Sequence, residues 1–216
     1  MMQKYKSYLV NTLFWFPILV LTCLLSFNAL HYYTFSFDYG ILPEKLVARQ
    51  DNVWLVCFYL HMISGVICLF APLLLFCRKQ FRIPAKAHRK IGKLYIICTL
   101  LVVVPTGFYM SIYAKGGIVS QLGFVAQGIL LFIFTWRAFK LVLNKHYQRH
   151  AKMMVRGYAV VSAALTFRLY HMLFYYLDIP YEINYASSQW ISIIGNLFIV
   201  EAIITFKYYN QSKFNF

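Results

Sequence analysis

Carboxylates are the scarcest chemistry in this sequence: six Asp and Glu stand against 21 Lys and Arg, and charged residues of both signs make up only 12% of the chain. A soluble domain carries about twice that charged fraction, so the composition excludes an ordinary water-borne fold. Paired cysteines are missing too. Cys23, Cys57, Cys68, Cys77 and Cys98 include no C-x-x-C, which removes metal and redox spacing and leaves five small buried hydrophobes. No Walker A, H-E-x-x-H, G-x-S-x-G or G-x-G-x-x-G run occurs. Nucleotide, zincin, serine-hydrolase and dinucleotide chemistry therefore lack their usual signatures.

What the sequence has instead is long apolar runs. Hydrophobic residues are 61% of the 216, and they arrive in blocks of about twenty, the length that crosses a hydrocarbon core of roughly 30 Å. The expected spans are 8–30, 53–77, 94–113, 118–136, 153–177 and 188–206. They make a single membrane domain over residues 1–216, an all-α polytopic integral membrane bundle of six transmembrane helices. The runs are too long and too uniform for barrel strands. Pro72 and Pro105 are expected to kink spans two and three. Lys4 and Lys6 followed by apolar residues resemble a signal peptide. With about twenty apolar residues and no A-x-A site, the segment reads as an uncleaved first span.

The net charge of +15 is distributed as a topology signal and not as a nucleic-acid surface. With the N-terminus inside, sixteen Lys and Arg fall on inner segments and three (Lys45, Arg49, Lys115) on outer ones, while Asp38, Glu44, Asp51, Asp178 and Glu182 are all outer. This bias sets both termini in the cytoplasm. The partner it implies is the lipid bilayer, with no nucleic acid. The outer loop 31–52 opens on His31, Tyr32, Tyr33, Phe35 and Phe37 and is expected at the interface as an aromatic belt.

Ionisable groups left at bilayer depth face a bundle interior or a cavity. Here they form an intramembrane polar cluster of His61, Arg168, His171, Asn196 and Glu201. Counting 1.5 Å per residue puts Arg168 roughly 4–5 Å outward of mid-membrane and Glu201 roughly 6 Å inward. As neighbours on antiparallel spans they are the expected ion pair, either structural or part of a substrate or proton site. His61 and His171 fall at similar depth on two helices, the arrangement that six-coordinate haem b requires. The alternative for each is a hydrogen bond to a neighbouring helix. On the inner surface His88 and Arg89 open span three, and His150 and Arg156 open span five. Together they form a basic cluster suited to an anionic lipid or a small-molecule anion, with His88 and His150 as further metal candidates. Gly123, Gln127 and Gly128 are expected on a close helix-packing face, and Gly116-Gly117 in a turn.

The order of His61-x3-Gly65, Pro72, His88-Arg89-x2-Gly92-x2-Tyr95, Gly117, Gly123, Trp136, His150-x3-Met154-x-Arg156, Arg168 and Asn196-x4-Glu201 resembles the bacterial predicted membrane proteins called domain of unknown function 2306. This chain has Ala71 and Met153 where that pattern favours Gly and Trp, and His171 has no counterpart in it. The resemblance implies a multi-pass protein of the bacterial inner membrane. It directs attention to His61, His88, His150, Arg168 and Glu201, without implying an enzyme activity. Three functions stay open: a redox protein binding haem b or a metal through histidines, a small transporter with an Arg/Glu site, and a structural or accessory subunit.

Overall fold

Apolar runs in lipid must satisfy their own backbone groups, and the computed structural model does so with helices. It describes residues 2–78 and 80–213; among these there is no strand. The order is α1 (Met2–His31), a short 3₁₀ turn (Tyr32–Thr34), α2 (Leu46–Arg49), α3 (Asn52–Phe76), α4 (Ala85–Ile97), a π-helical segment (Cys98–Val103), α5 (Val104–Ser111), α6 (Gly117–Leu143), α7 (Tyr147–Val161), α8 (Ala163–Tyr176) and α9 (Tyr181–Lys213). The six expected spans each correspond to a helical rod. Five are long and apolar enough to cross a membrane unbroken: Trp15–Thr34, Asn52–Phe76, Ala85–Ser111, Gly117–Leu143 and Tyr181–Phe206. The remaining one is divided between α7 and α8. Several rods outrun the apolar blocks, because Lys and Arg at a helix end keep their stems on apolar surface while the charge reaches water.

The expected kink at Pro105 takes the form of the π segment. Proline has no N–H to give the carbonyl four residues back, and the wider i→i+5 pairing of Cys98–Val103 lies directly before it. Pro72 sits inside the continuous α3. The close packing face of α6 is as expected. A Cβ on Gly123 would lie 2.9 Å from Gln189 Cγ, and one on Gly128 would lie 2.5 Å from Phe108. The Gly116-Gly117 turn, with φ of +78° and +68°, reverses the chain between α5 and α6.

Span five breaks at Ser162, and two amides from other helices support the break. The carbonyl of Ala159 accepts from Asn196 Nδ2 at 3.1 Å, and that of Val160 accepts from Gln127 Nε2 at 3.1 Å. These are carbonyls of the last turn of α7, which a terminating helix otherwise leaves orphaned. Asn196 also donates to Thr166 Oγ1 at 3.1 Å.

The loop after α1 folds back on the bundle. Tyr32 and Leu42 are buried with Ala48, Trp54 and Phe58 in one apolar cluster. Phe35 and Phe37 remain exposed. Asp51 fixes where the loop ends. Its Oδ1 caps α3 by accepting from Val53 N at 2.9 Å and Trp54 N at 3.3 Å. Its Oδ2 accepts from Tyr109 OH at 2.6 Å and Tyr113 OH at 2.9 Å. The Tyr109 bond, opposed by burial and helped by Tyr113, holds the carboxyl below its ordinary range. A depressed carboxylate pKa stabilises the fold above the unfolded value of about 3.9 and loses that contribution as pH falls through the folded value. Asp51→Ala is therefore expected to lower the thermal midpoint by several degrees at pH 7, with the gap to wild type closing as pH is brought below about 4. Thermal unfolding of both proteins in detergent across pH 3–8 checks it, and a pH-independent gap would contradict the role given to Asp51.

Candidate functional site

A cavity of about 290 Å³ lies among α3, α5, α6, α8 and α9, under the folded loop. Its walls are largely apolar, with Trp54, Met62, Leu69, Met110, Leu131 and Phe167 among them. The ionisable groups in the lining are Lys45, His61, Cys68, Arg168 and Tyr185, and no carboxylate is among them.

His61 is held by α5. Its Nδ1 lies 2.9 Å from Thr106 Oγ1. The threonine hydroxyl gives its single hydrogen to the Val102 carbonyl at 2.6 Å, so it can only accept from the imidazole. Nδ1 therefore carries the proton, and Nε2 is left with a lone pair. Gln127 and Gln189 are ordered by the same reasoning. Gln127 Nε2 donates to Val160, so its Oε1 accepts from Gln189 Nε2 at 2.7 Å. Gln189 Oε1 remains an acceptor in the cavity wall.

Arg168 is exposed, and among the described residues its guanidinium makes one hydrogen bond, Nη1 to the Ala164 carbonyl at 2.6 Å in the preceding turn. That occupies one of five guanidinium donors. The other groups acting on it electrostatically are the phenols of Tyr32 and Tyr185, and no ion pair to it occurs among the described residues. Lys45 closes the loop end by donating to the Tyr113 carbonyl. Burial first, and Lys115 second, lower its ammonium to about 8, with Glu44 acting in the opposite sense. Glu44 is itself paired with Lys115.

The expected Arg168–Glu201 pair does not form. Glu201 takes Arg156 instead, bidentate, with Nε–Oε1 at 2.5 Å and Nη2–Oε2 at 2.7 Å. The reason is axial: both partners lie toward the basic end of the bundle, whereas Arg168 lies beyond the Ser162 break. His61 and His171 are not brought to one space. His171 stacks on Phe167 with ring centroids 5.6 Å apart, and its Nδ1 donates to Asn184 Oδ1 at 2.8 Å. It does not line the cavity that His61 lines. Asn196 serves the helix break rather than a ligand site.

The basic cluster comes together only in part. His88 lies within electrostatic reach of Arg78 and His150. His150 Nδ1 is committed to the Ala138 carbonyl at 2.8 Å, Arg156 is drawn away to Glu201, and Arg89 is exposed. Among the described residues no group of three or more His, Cys, Asp or Glu is arranged to hold a metal ion.

Lys45, Thr106, Gln127, Tyr185 and Gln189 were not read from the sequence as site residues. Gln127 and Gln189, two amides inside apolar blocks, carried a usable signal, because such groups must find partners in lipid. Lys45 carried none, since only the folding of its loop brings it to the cavity.

The family model described as predicted membrane protein (DUF2306) matches residues 58–204. No curated protein and no solved structure matches the chain. The matched segment contains His61, Arg168 and both glutamines, while Lys45 lies before it. The chain belongs to this family of predicted membrane proteins.

Proposed function

We propose that this DUF2306 protein binds an amphipathic organic acid inside the bilayer, with Arg168 and Lys45 holding its anionic head and the apolar walls taking its body. It is the transporter alternative in modified form: the Arg/Glu pair is replaced by a cationic pocket awaiting an anion, in a multi-pass protein that we assign to a bacterial inner membrane. One observation carries it. Two cations line a cavity without a carboxylate in its wall, and a guanidinium at bilayer depth needs a counter-charge. Charge-assisted N–H···O bonds to a carboxylate or phosphate supply it. Gln189 Oε1 and His61 Nε2 accept from a hydroxyl or a protonated oxygen on the ligand. The haem reading draws no support from the two spatially separated imidazoles.

Oleate is expected to bind purified protein in phosphatidylcholine nanodiscs at least tenfold more tightly than oleyl alcohol, which has the same body without the charge. The advantage is expected to shrink as pH rises past about 8, because Lys45 then loses its proton. The sign follows from linkage: the anion binds the charged ammonium better, so deprotonation weakens it. Calorimetric titration between pH 6.5 and 9.5 measures both. Equal affinities for acid and alcohol would overturn the proposal.

A further inference from the structure

We infer that the ligand is a single-chain lipid acid that reaches the cavity sideways, from the bilayer, through a cleft between α1 and α8. This rests on the anion-binding role given to Arg168 above. A second void of about 240 Å³ separates those two helices, bordered by Leu21, Leu24 and Asn28 of α1 and by Leu165, Arg168 and Leu169 of α8. Arg168 is the residue common to both linings. Arg168, itself exposed, thus borders both the cavity and a cleft whose outer edge faces acyl chains, since Leu24 and Leu169 are exposed.

The cleft is otherwise almost wholly apolar. Its one further polar group, the Asn28 amide, is held by the Tyr39 hydroxyl at 2.9 Å. A dissolved polar solute has nothing to follow along such a path. An amphiphile already resident in a leaflet does: its chain lies along the leucines while its acidic head meets the guanidinium. Charge complementarity therefore selects an acid over a neutral lipid, and a void of only about 240 Å³ between two helices favours one chain over two.

The test fills the cleft without touching the cations. Leu24→Trp and Leu169→Trp are compared with Leu60→Trp, an exposed α3 position that borders neither void. Stopped-flow mixing follows parinarate, a fluorescent long-chain acid, and calorimetry follows octanoate, which is short enough to enter through water. The expected result is parinarate association at least tenfold slower in the two cleft variants and unchanged in Leu60→Trp, with octanoate affinity held by all three. If the cleft variants take up parinarate at the wild-type rate while Arg168→Gln loses it, the lateral route is wrong and the cavity reading survives. If the cleft variants lose both acids together while their thermal midpoints match wild type, the cleft is part of the binding site and not a route to it, and the lateral route is again wrong. If wild type binds neither acid, the anion site itself falls.

Discussion

Arg168→Gln is expected to weaken oleate binding by at least about 30-fold while raising the thermal stability of the ligand-free protein. The two effects have opposite signs because Arg168 is a liability until an anion arrives. An arginine near the centre of a transmembrane helix costs roughly 2.5–3.5 kcal/mol on insertion scales, and here only one donor finds a partner among the described residues, the Ala164 carbonyl. Glutamine keeps a donor for that carbonyl and removes the charge. On the binding side, losing one member of a desolvated, hydrogen-bonded charge pair costs about 2–5 kcal/mol, or 30-fold and upward. Thermal unfolding with and without oleate reads both quantities. In wild type the ligand raises the midpoint strongly; in the variant the midpoint starts higher and barely moves. A variant that is simply less stable would show that Arg168 holds helices together.

Arg156 behaves in the reverse way. Arg156→Ala, or Glu201→Gln, is expected to destabilise the protein by about 2–3 kcal/mol, since either leaves an unmatched charge on a helix of the apolar bundle. The bidentate geometry joins α7 to α9. Glu201 is 48% exposed and Arg156 18%, so solvent screening sets the effect below the range of about 3–5 kcal/mol for a fully buried pair. The double substitution Arg156→Met with Glu201→Leu is expected to recover most of the loss, because it removes both charges and leaves apolar stems against lipid. A double-mutant cycle on unfolding midpoints gives the coupling. Near-additive single effects would mean that the pair contributes nothing. Oleate affinity is expected to be preserved in every folded member of the cycle, which separates this ion pair from the cavity.

The bundle was legible because lipid imposes a length and a composition on each crossing. The helices and their order follow from runs of about twenty apolar residues, and the packing glycines of α6 from their spacing. The break at Ser162 was not legible. Nothing in the run 153–177 marks it, and it depends on Asn196 and Gln127 reaching across from α9 and α6. The ionisable residues of the apolar runs could be singled out as groups that need partners, but which partner each takes is a matter of rotation and axial register, which depth counting does not give. Depth put Arg168 opposite Glu201; the helix break and the proximity of Arg156 decided otherwise. His171 was legible as a polar group in lipid, whereas its commitment to Asn184 required the docking of α8 on α9. The loop carrying Lys45 was read as interfacial because its aromatics allow that. Its folding over the cavity rests on Asp51 meeting two tyrosines of another span.

The claim on which the rest depends is that the cationic cavity holds an acidic amphiphile. Organic extraction and mass spectrometry of small molecules retained by the purified protein, wild type beside Arg168→Gln and normalised to protein, tests it most directly. A near-stoichiometric single-chain acid in wild type, depleted at least tenfold in the variant, is the predicted result. Acid at equal levels in the two preparations, or only neutral lipid in both, would contradict it.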